Sequence, residues 1–173
     1  MGFINIEIKA RTSNPDKIRA LLLANSAKFK GIDEQTDTYF NVPAGRLKLR
    51  QGNIENTLIY YTRINQAGPK QSDCEVWPAP DSKGLREILE KSVGILVTVI
   101  KSREIYFIDN IKFHIDTVKE LGNFVEIEAS NKTADIPKEQ LQEQCRHYIE
   151  IFGIKDSEMV DVSYSDMILG QLH

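Results

Sequence analysis

The stretch His114-Ile115-Asp116-Thr117-Val118-Lys119-Glu120-Leu121-Gly122-Asn123-Phe124-Val125-Glu126-Ile127-Glu128 holds two alternating runs around a Gly-Asn turn. Successive side chains of a strand point to opposite faces, so parity sorts them. Lys112, His114 and Asp116 take one face and Phe113 and Ile115 the other; Glu126 and Glu128 oppose Val125 and Ile127. Two neighbouring strands with one apolar and one charged face therefore meet at this turn, and the charged face carries two carboxylates about 6.6 Å apart at ~3.3 Å rise per residue.

The same sorting works outward along the chain. Glu7, Lys9 and Arg11 oppose Ile6 and Ile8, Arg46, Lys48 and Arg50 oppose Leu47 and Leu49, and Lys101 and Arg103 oppose Ile100. Strands are predicted over 3–11, 33–41, 45–51, 56–63, 73–77, 95–108, 111–119 and 123–130, separated by turn signals such as Pro43-Ala44-Gly45 and Gly68-Pro69. Three segments have helical spacing instead: Ile18, Leu21 and Leu22 after Pro15; Leu85, Ile88 and Leu89 after Asp81; and Leu141, Cys145, Tyr148, Ile149 and Phe152 after Pro137. A short helix is expected around Met167 to Leu172. The fold class is thus α+β, and eight mostly antiparallel strands in one domain over 1–173 invite closure into a β-barrel with helices outside.

The apolar face of each strand must meet the helices, which leaves two arrangements for the charged face. An open sheet would expose it to water, with the charges in ordinary cross-strand pairs. A sheet curled the other way would enclose it, and Lys9, Arg11, Arg46, Lys48, Arg50, Arg63, Lys101, Arg103 and Lys112 would then face Glu7, Asp37, Asp116, Glu126 and Glu128 across a tunnel. Such a lining suits a polyanion escorted by a divalent cation. Phosphate oxygens take several guanidinium and ammonium donors at once, and Mg²⁺ takes carboxylates and substrate phosphates.

Composition narrows the partners. The 173 residues carry 22 Lys+Arg against 25 Asp+Glu, a net charge of −3, with no polybasic segment. That excludes a general nucleic-acid binder. No apolar run reaches the length of a membrane span and no signal pattern is visible, so a cytoplasmic protein is expected. Cys74 and Cys145 have no metal or redox spacing and are expected to be reduced and packed. Tyr60, Trp77 and Phe107 are expected to pack in the barrel wall, and Ser163-Tyr164-Ser165-Asp166 either closes one tunnel mouth or caps a helix through Ser165 or Asp166.

The order of Asn5-Ile6-Glu7-Ile8-Lys9, Asp37-Thr38-Tyr39-Phe40, Gly45-Arg46-Leu47-Lys48-Leu49-Arg50, Leu58-Ile59-Tyr60-Tyr61-Thr62-Arg63, Val99-Ile100-Lys101-Ser102-Arg103 and the segment 114–128 resembles the CYTH group, the triphosphate tunnel metalloenzymes, which includes class IV adenylyl cyclases and thiamine triphosphatases. The resemblance implies an eight-stranded antiparallel tunnel holding a triphosphate, with Mg²⁺ or Mn²⁺ as cofactor. It implies triphosphate binding by Lys9, Lys48, Arg50, Arg63, Lys101 and Arg103 and metal binding by Glu7, Glu126 and Glu128. Lys9, Arg63 and Asp116 are the catalytic candidates, Asp116 as a ligand or as an orienter of metal-bound water. One departure stands out: where the group has Glu-x-Glu-x-Lys, this chain has Asn5. An amide brings no negative charge and cannot act as a base, which predicts weaker metal binding. The implied activity is metal-dependent cyclisation or hydrolysis of a nucleoside or organic triphosphate, the alternative being a non-catalytic triphosphate or polyphosphate sensor. An outer apolar patch would suit a homodimer.

Overall fold

The computed structural model describes residues 2–63, 65 and 68–171. Its elements are β1 (Phe3–Arg11), α1 (Pro15–Ala24), β2 (Lys28–Phe40), β3 (Arg46–Gln51), β4 (Asn56–Arg63), β5 (Lys70–Pro78), α2 (Lys83–Ser92), β6 (Ile95–Ile108), β7 (Ile111–Val118), β8 (Gly122–Ser130), α3 (Lys138–Phe152) and α4 (Tyr164–Gln171). The strands close into a barrel in the order β1-β5-β4-β3-β2-β6-β7-β8, and every neighbouring pair is antiparallel. Closure leaves no free sheet edge. Among the described residues, no helix is long and apolar enough to cross a membrane.

The barrel is apolar outside and charged inside. Ile6, Ile8 and Ala10 of β1, Phe113 and Ile115 of β7, and Val125, Ile127 and Ala129 of β8 point outward. They are buried beneath Ile18 and Leu22 of α1 and Leu141, Cys145, Tyr148 and Phe152 of α3. Helix α1 starts where Asn14 accepts a side-chain hydrogen bond from the Lys17 backbone and Pro15 takes the first turn. Helix α3 ends at Gly153, whose φ of 64° suits a residue without Cβ. On the other side Leu85 and Leu89 of α2 pack on Phe40, Leu49 and Ala79.

Two strands begin earlier than their alternation suggests. β2 starts at Lys28 rather than 33, because its first residues form an exposed extension with a bulge between Phe29 and Gly31 and show no apolar face. β5 starts at Lys70 rather than 73, because polar Lys70 and Ser72 turn inward opposite Glu7 and Asn5 of β1. The last helix begins at Tyr164, earlier than expected, and Leu172 lies outside the described residues, as do Ile64, Gln66 and Ala67 between β4 and β5. The interior is also layered. Inward-facing Val97, Val99, Val118 and Phe124 form an apolar layer beneath Tyr164, Met167 and Ile168, so the C-terminal segment plugs one end and the charged section lies beyond it.

Candidate active site

The charged section is a cavity of about 470 Å³, within the range of small-molecule sites. Its wall includes Lys9, Lys48, Arg50, Arg63, Lys101 and Arg103 together with Glu7, Glu126 and Glu128. These nine side chains come from β1, β3, β4, β6 and β8 and converge only because the barrel is closed.

On one side Asp37 is the hub. Arg50 donates to both of its oxygens at 2.9 Å, Lys101 Nζ lies at 2.8 Å and Lys48 Nζ at 3.4 Å. Burial alone would raise the Asp37 pKa. The charges of Arg50, Lys101 and Lys48 outweigh it and hold the carboxyl well below its usual range. With Glu55 beside Arg50 and Lys112, two carboxylates stand among four cations, which leaves a positive surplus facing the cavity. Burial, with help from Arg103, Arg50 and Lys48 and against the attraction of Asp37, pushes Lys101 down to about 7. The cluster therefore has an unmet demand for negative charge. Lys9, also buried, is lowered to about 8; its ammonium lies 3.9 Å from the centre of the Tyr164 ring and donates to the Val162 carbonyl at 3.4 Å.

On the other side the carboxylates gather. Glu7 faces Glu128 directly across the β1–β8 ladder, and Lys9 faces Glu126. Glu7 is paired with Arg63. Glu126 takes a hydrogen bond from Arg103 at 3.0 Å through Oε1. Its carboxyl is pulled well below the usual range because Arg103 and Lys9 overcome the penalty of burial. His114 stands opposite Glu126 on β7, and burial reinforced by Arg103 lowers its pKa. Like charges placed opposite each other in a ladder repel, so the Glu7–Glu128 pair is a place where a divalent cation relieves strain. Carboxylate oxygens are also what a hard cation takes. The donor set fits Mg²⁺ or Mn²⁺.

Asp116 lies elsewhere. It is 0% exposed and does not line the cavity. Arg103 donates to both its oxygens at 2.7 Å and the Tyr164 hydroxyl donates at 2.7 Å. Both oxygens are engaged, so Asp116 positions Arg103 and Tyr164. Arg11 and Arg46 share the inward parity but sit at strand ends, outside the cavity lining. Arg11 donates to the Leu121 carbonyl, and Arg46 binds Ser163 and Asp166. The 163–166 segment thus does close a mouth, and the residue capping α4 is Ser163, whose hydroxyl accepts from the Asp166 backbone at 3.1 Å. Trp77 is 72% exposed and Tyr60 hydrogen-bonds outside to the Ala44 carbonyl. Tyr60 and Trp77, expected to pack in the wall, are thus exposed on its outer side, whereas Phe107 lines the cavity.

Sequence reasoning missed Glu55, which lines the cavity, pairs with Lys112 and approaches Arg50 at 3.3 Å. It also missed Tyr39, Tyr61 and Ser72 of the wall. Tyr61 shares the parity of Arg63 and Tyr39 that of Asp37, so alternation carried their signal. Glu55 lies in a loop, where alternation has no meaning.

The CYTH domain family model matches residues 4–163. This chain belongs to the CYTH domain family. A protein of Methanocaldococcus jannaschii named as a candidate adenylate cyclase is 27% identical over 95% of this chain and 98% of its own length. A solved structure from Pyrococcus horikoshii superposes with a TM-score of 0.81 at 24% identity, over 94% of this chain and 98% of that one. A Hippeastrum candidate adenylyl cyclase with a dominant triphosphatase activity has the same fold, with a TM-score of 0.59 at 15% identity over 97% and 95% of the two chains. CYTH enzymes bind triphosphates inside the tunnel and generally use divalent metals. The charge-lined barrel described above is that tunnel.

Proposed function

We propose that this CYTH protein is a divalent-metal-dependent enzyme acting on a nucleoside or organic triphosphate held in the tunnel, by phosphoryl transfer to water or by cyclisation. The observation that carries the reading is the convergence of six basic side chains and three carboxylates on one cavity. Lys48, Arg50 and Lys101, which share Asp37, bind phosphate oxygens. Lys9, Arg63 and Arg103, nearer the carboxylates, neutralise charge that develops on the phosphoryl group under attack. Glu7, Glu126 and Glu128 would hold Mg²⁺ or Mn²⁺. Such an ion supplies Lewis-acid polarisation of phosphate and activation of an oxygen nucleophile. Asp116 holds Arg103 in a fixed fork, and the apolar layer with Tyr164 shuts water out of one end. The M. jannaschii relative and the Hippeastrum neighbour both carry adenylate cyclase names, and the latter is described as having a dominant triphosphatase activity, which frames the choice of reaction.

The test is purified protein with Mg²⁺ or Mn²⁺ against ATP, inorganic triphosphate and thiamine triphosphate, separating phosphate release from pyrophosphate with a cyclic nucleotide. Turnover of at least one, lowered at least a hundredfold in Glu126→Gln, is expected; no turnover of any overturns the reading. Asn5 favours a second reading. It lines the cavity, 8% exposed, and brings an amide where a carboxylate would add metal affinity. In a triphosphate sensor, Glu126→Ala leaves or strengthens metal-free triphosphate binding and there is no turnover to lose.

A further inference from the structure

We infer that His114 is the nitrogen ligand of a divalent-metal site completed by Glu126 and Glu128, and that this site takes a first-row transition ion such as Mn²⁺ in preference to Mg²⁺. The inference deepens the proposed function and rests on it for placing a metal at Glu126 and Glu128.

His114 is 1% exposed, and neither ring nitrogen has a hydrogen-bond partner among the described residues. A buried polar atom left without a partner is costly, so something other than the protein satisfies this ring. Beside Nδ1 stand Glu126 Oε2 at 4.0 Å and Glu128 Oε1 at 3.9 Å, both beyond hydrogen-bond reach. The other Glu126 oxygen is already held by Arg103. One donor atom from each of the three residues lies within 4.8 Å of the others. Ligand atoms bound at about 2.1 Å stand about 3.0 Å apart at right angles and up to about 4.2 Å when trans. The triangle thus closes on an ion with side-chain movement of an ångström or less. Arg103 and Lys112 stand beside the ring, yet neither ring nitrogen takes a hydrogen bond from them; a metal ion can accept the lone pair of Nδ1, the nitrogen that faces the two carboxylates.

Ligand chemistry sets the preference. Mg²⁺ demands a near-ideal octahedral shell of oxygens and gives up water reluctantly. Imidazole suits first-row transition ions such as Fe²⁺ and Zn²⁺, and carboxylates suit Mn²⁺ as well as Mg²⁺, so a mixed nitrogen and carboxylate set favours a first-row ion over Mg²⁺. Two carboxylates alone would not discriminate, so the discrimination resides in His114.

The experiment uses the full chain and Mn²⁺ alone, with no triphosphate. Pulsed electron paramagnetic resonance of bound Mn²⁺ is expected to show modulation from a directly coordinated nitrogen, which survives in His147→Gln and His173→Gln. Competition titrations are expected to give a Kd for Mn²⁺ at least tenfold below that for Mg²⁺. His114→Leu, shown to be folded by circular dichroism, is expected to raise the Mn²⁺ Kd at least tenfold and the Mg²⁺ Kd less than threefold. Absence of nitrogen modulation, no Mn²⁺ binding, or equal losses for both ions overturns the inference; a water bridging His114 to the two glutamates gives the first of these. Should His114→Leu fail to fold, the nitrogen modulation of the unsubstituted chain and its persistence in the other two histidine variants decide the matter alone. Turnover without nitrogen coordination removes only this inference, whereas nitrogen coordination without turnover removes only the proposed activity.

Discussion

The two walls of the tunnel solve opposite problems. Around Asp37, on β2, β3 and β6, one carboxylate is shared by three cations. Across the cavity, on β1 and β8, Glu7 and Glu128 face each other and Glu126 adds a third carboxylate beside them. The first wall has more cations than anions, and the second sets two carboxylates face to face even though Arg63 and Arg103 pair with Glu7 and Glu126, so a metal-bound polyphosphate would complete both. The walls also differ in support. The carboxylate wall is backed by α1 and α3 with a continuous apolar core, whereas Ile32, Leu96 and Ile100 on the outer side of β2 and β6 remain exposed. Metal ligands must be held to fractions of an ångström, while long basic side chains can follow an anion on flexible stems. The better-packed wall carries the carboxylates proposed to hold the metal, the groups with the stricter geometry.

Arg103 bridges the walls, and removing it is expected to have the largest effect. It stands on β6 beside the cationic cluster but binds Asp116 and Glu126. Arg103→Met leaves two buried carboxylates short of their partner, which costs about 3–5 kcal/mol. Chemical denaturation should show a stability loss of that size; a loss below ~1 kcal/mol would mean that the bridge is not what holds the two carboxylates. Lys101→Met sharpens the contrast in the other direction. Asp37 keeps its bidentate Arg50, so stability should shift by no more than about 1 kcal/mol. Metal-free binding of inorganic triphosphate, measured by calorimetry, should fall about tenfold, as expected for one charge-assisted contact. Glu128→Gln should leave that metal-free affinity equal or higher. Matching losses in the two variants would erase the division of labour.

How much of this contrast was legible follows from where each residue sits. Lys48, Arg50, Lys101, Arg103, Glu126 and Glu128 lie on regular strands, and alternation alone placed them on one face. Closure of that face into a cavity depended on the whole set of strands and on the CYTH resemblance, since parity cannot tell a lining from a solvated surface. It also cannot tell how far along the barrel a residue falls. Arg11 and Arg46 have the right parity yet lie at strand ends, while Val97, Val99, Val118 and Phe124 share it and make the apolar plug. Glu55 was invisible because its place is tertiary. The buried Asp33 carboxylate accepts from the backbone of Ile54 and Glu55 at 2.9 Å. The loop can come that close because position 52 is glycine, where a Cβ would lie 2.4 Å from Asp33 Oδ1. Likewise Asp116 shows the right residue type on the right strand, but only the structure shows both its oxygens already taken.

The smallest expected effect comes from pH, and it separates the cationic wall from the carboxylate wall most cleanly. Lys101 has a pKa of about 7 in the folded protein, against roughly 10.4 in an unfolded chain. The unfolded chain therefore binds more protons between those values, and the contribution of Lys101 to stability rises with pH from about 7 to about 10. Anion binding runs the opposite way, because a triphosphate beside the ammonium favours its charged form and must draw in a proton wherever the free protein has lost it. For a single group of this pKa, affinity falls about fivefold from pH 7 to pH 8. Triphosphate gains negative charge over the same interval, so the measurable quantity is the ratio of wild-type to Lys101→Met affinity. That ratio should shrink about fivefold between pH 7 and pH 8, with matching proton uptake on binding in calorimetry run in two buffers of different ionisation enthalpy. Glu126 on the opposite wall does not titrate there, because its carboxyl is held well below its usual range. A ratio independent of pH would show that Lys101 is fully charged before the ligand arrives, and that the cationic wall is balanced without it.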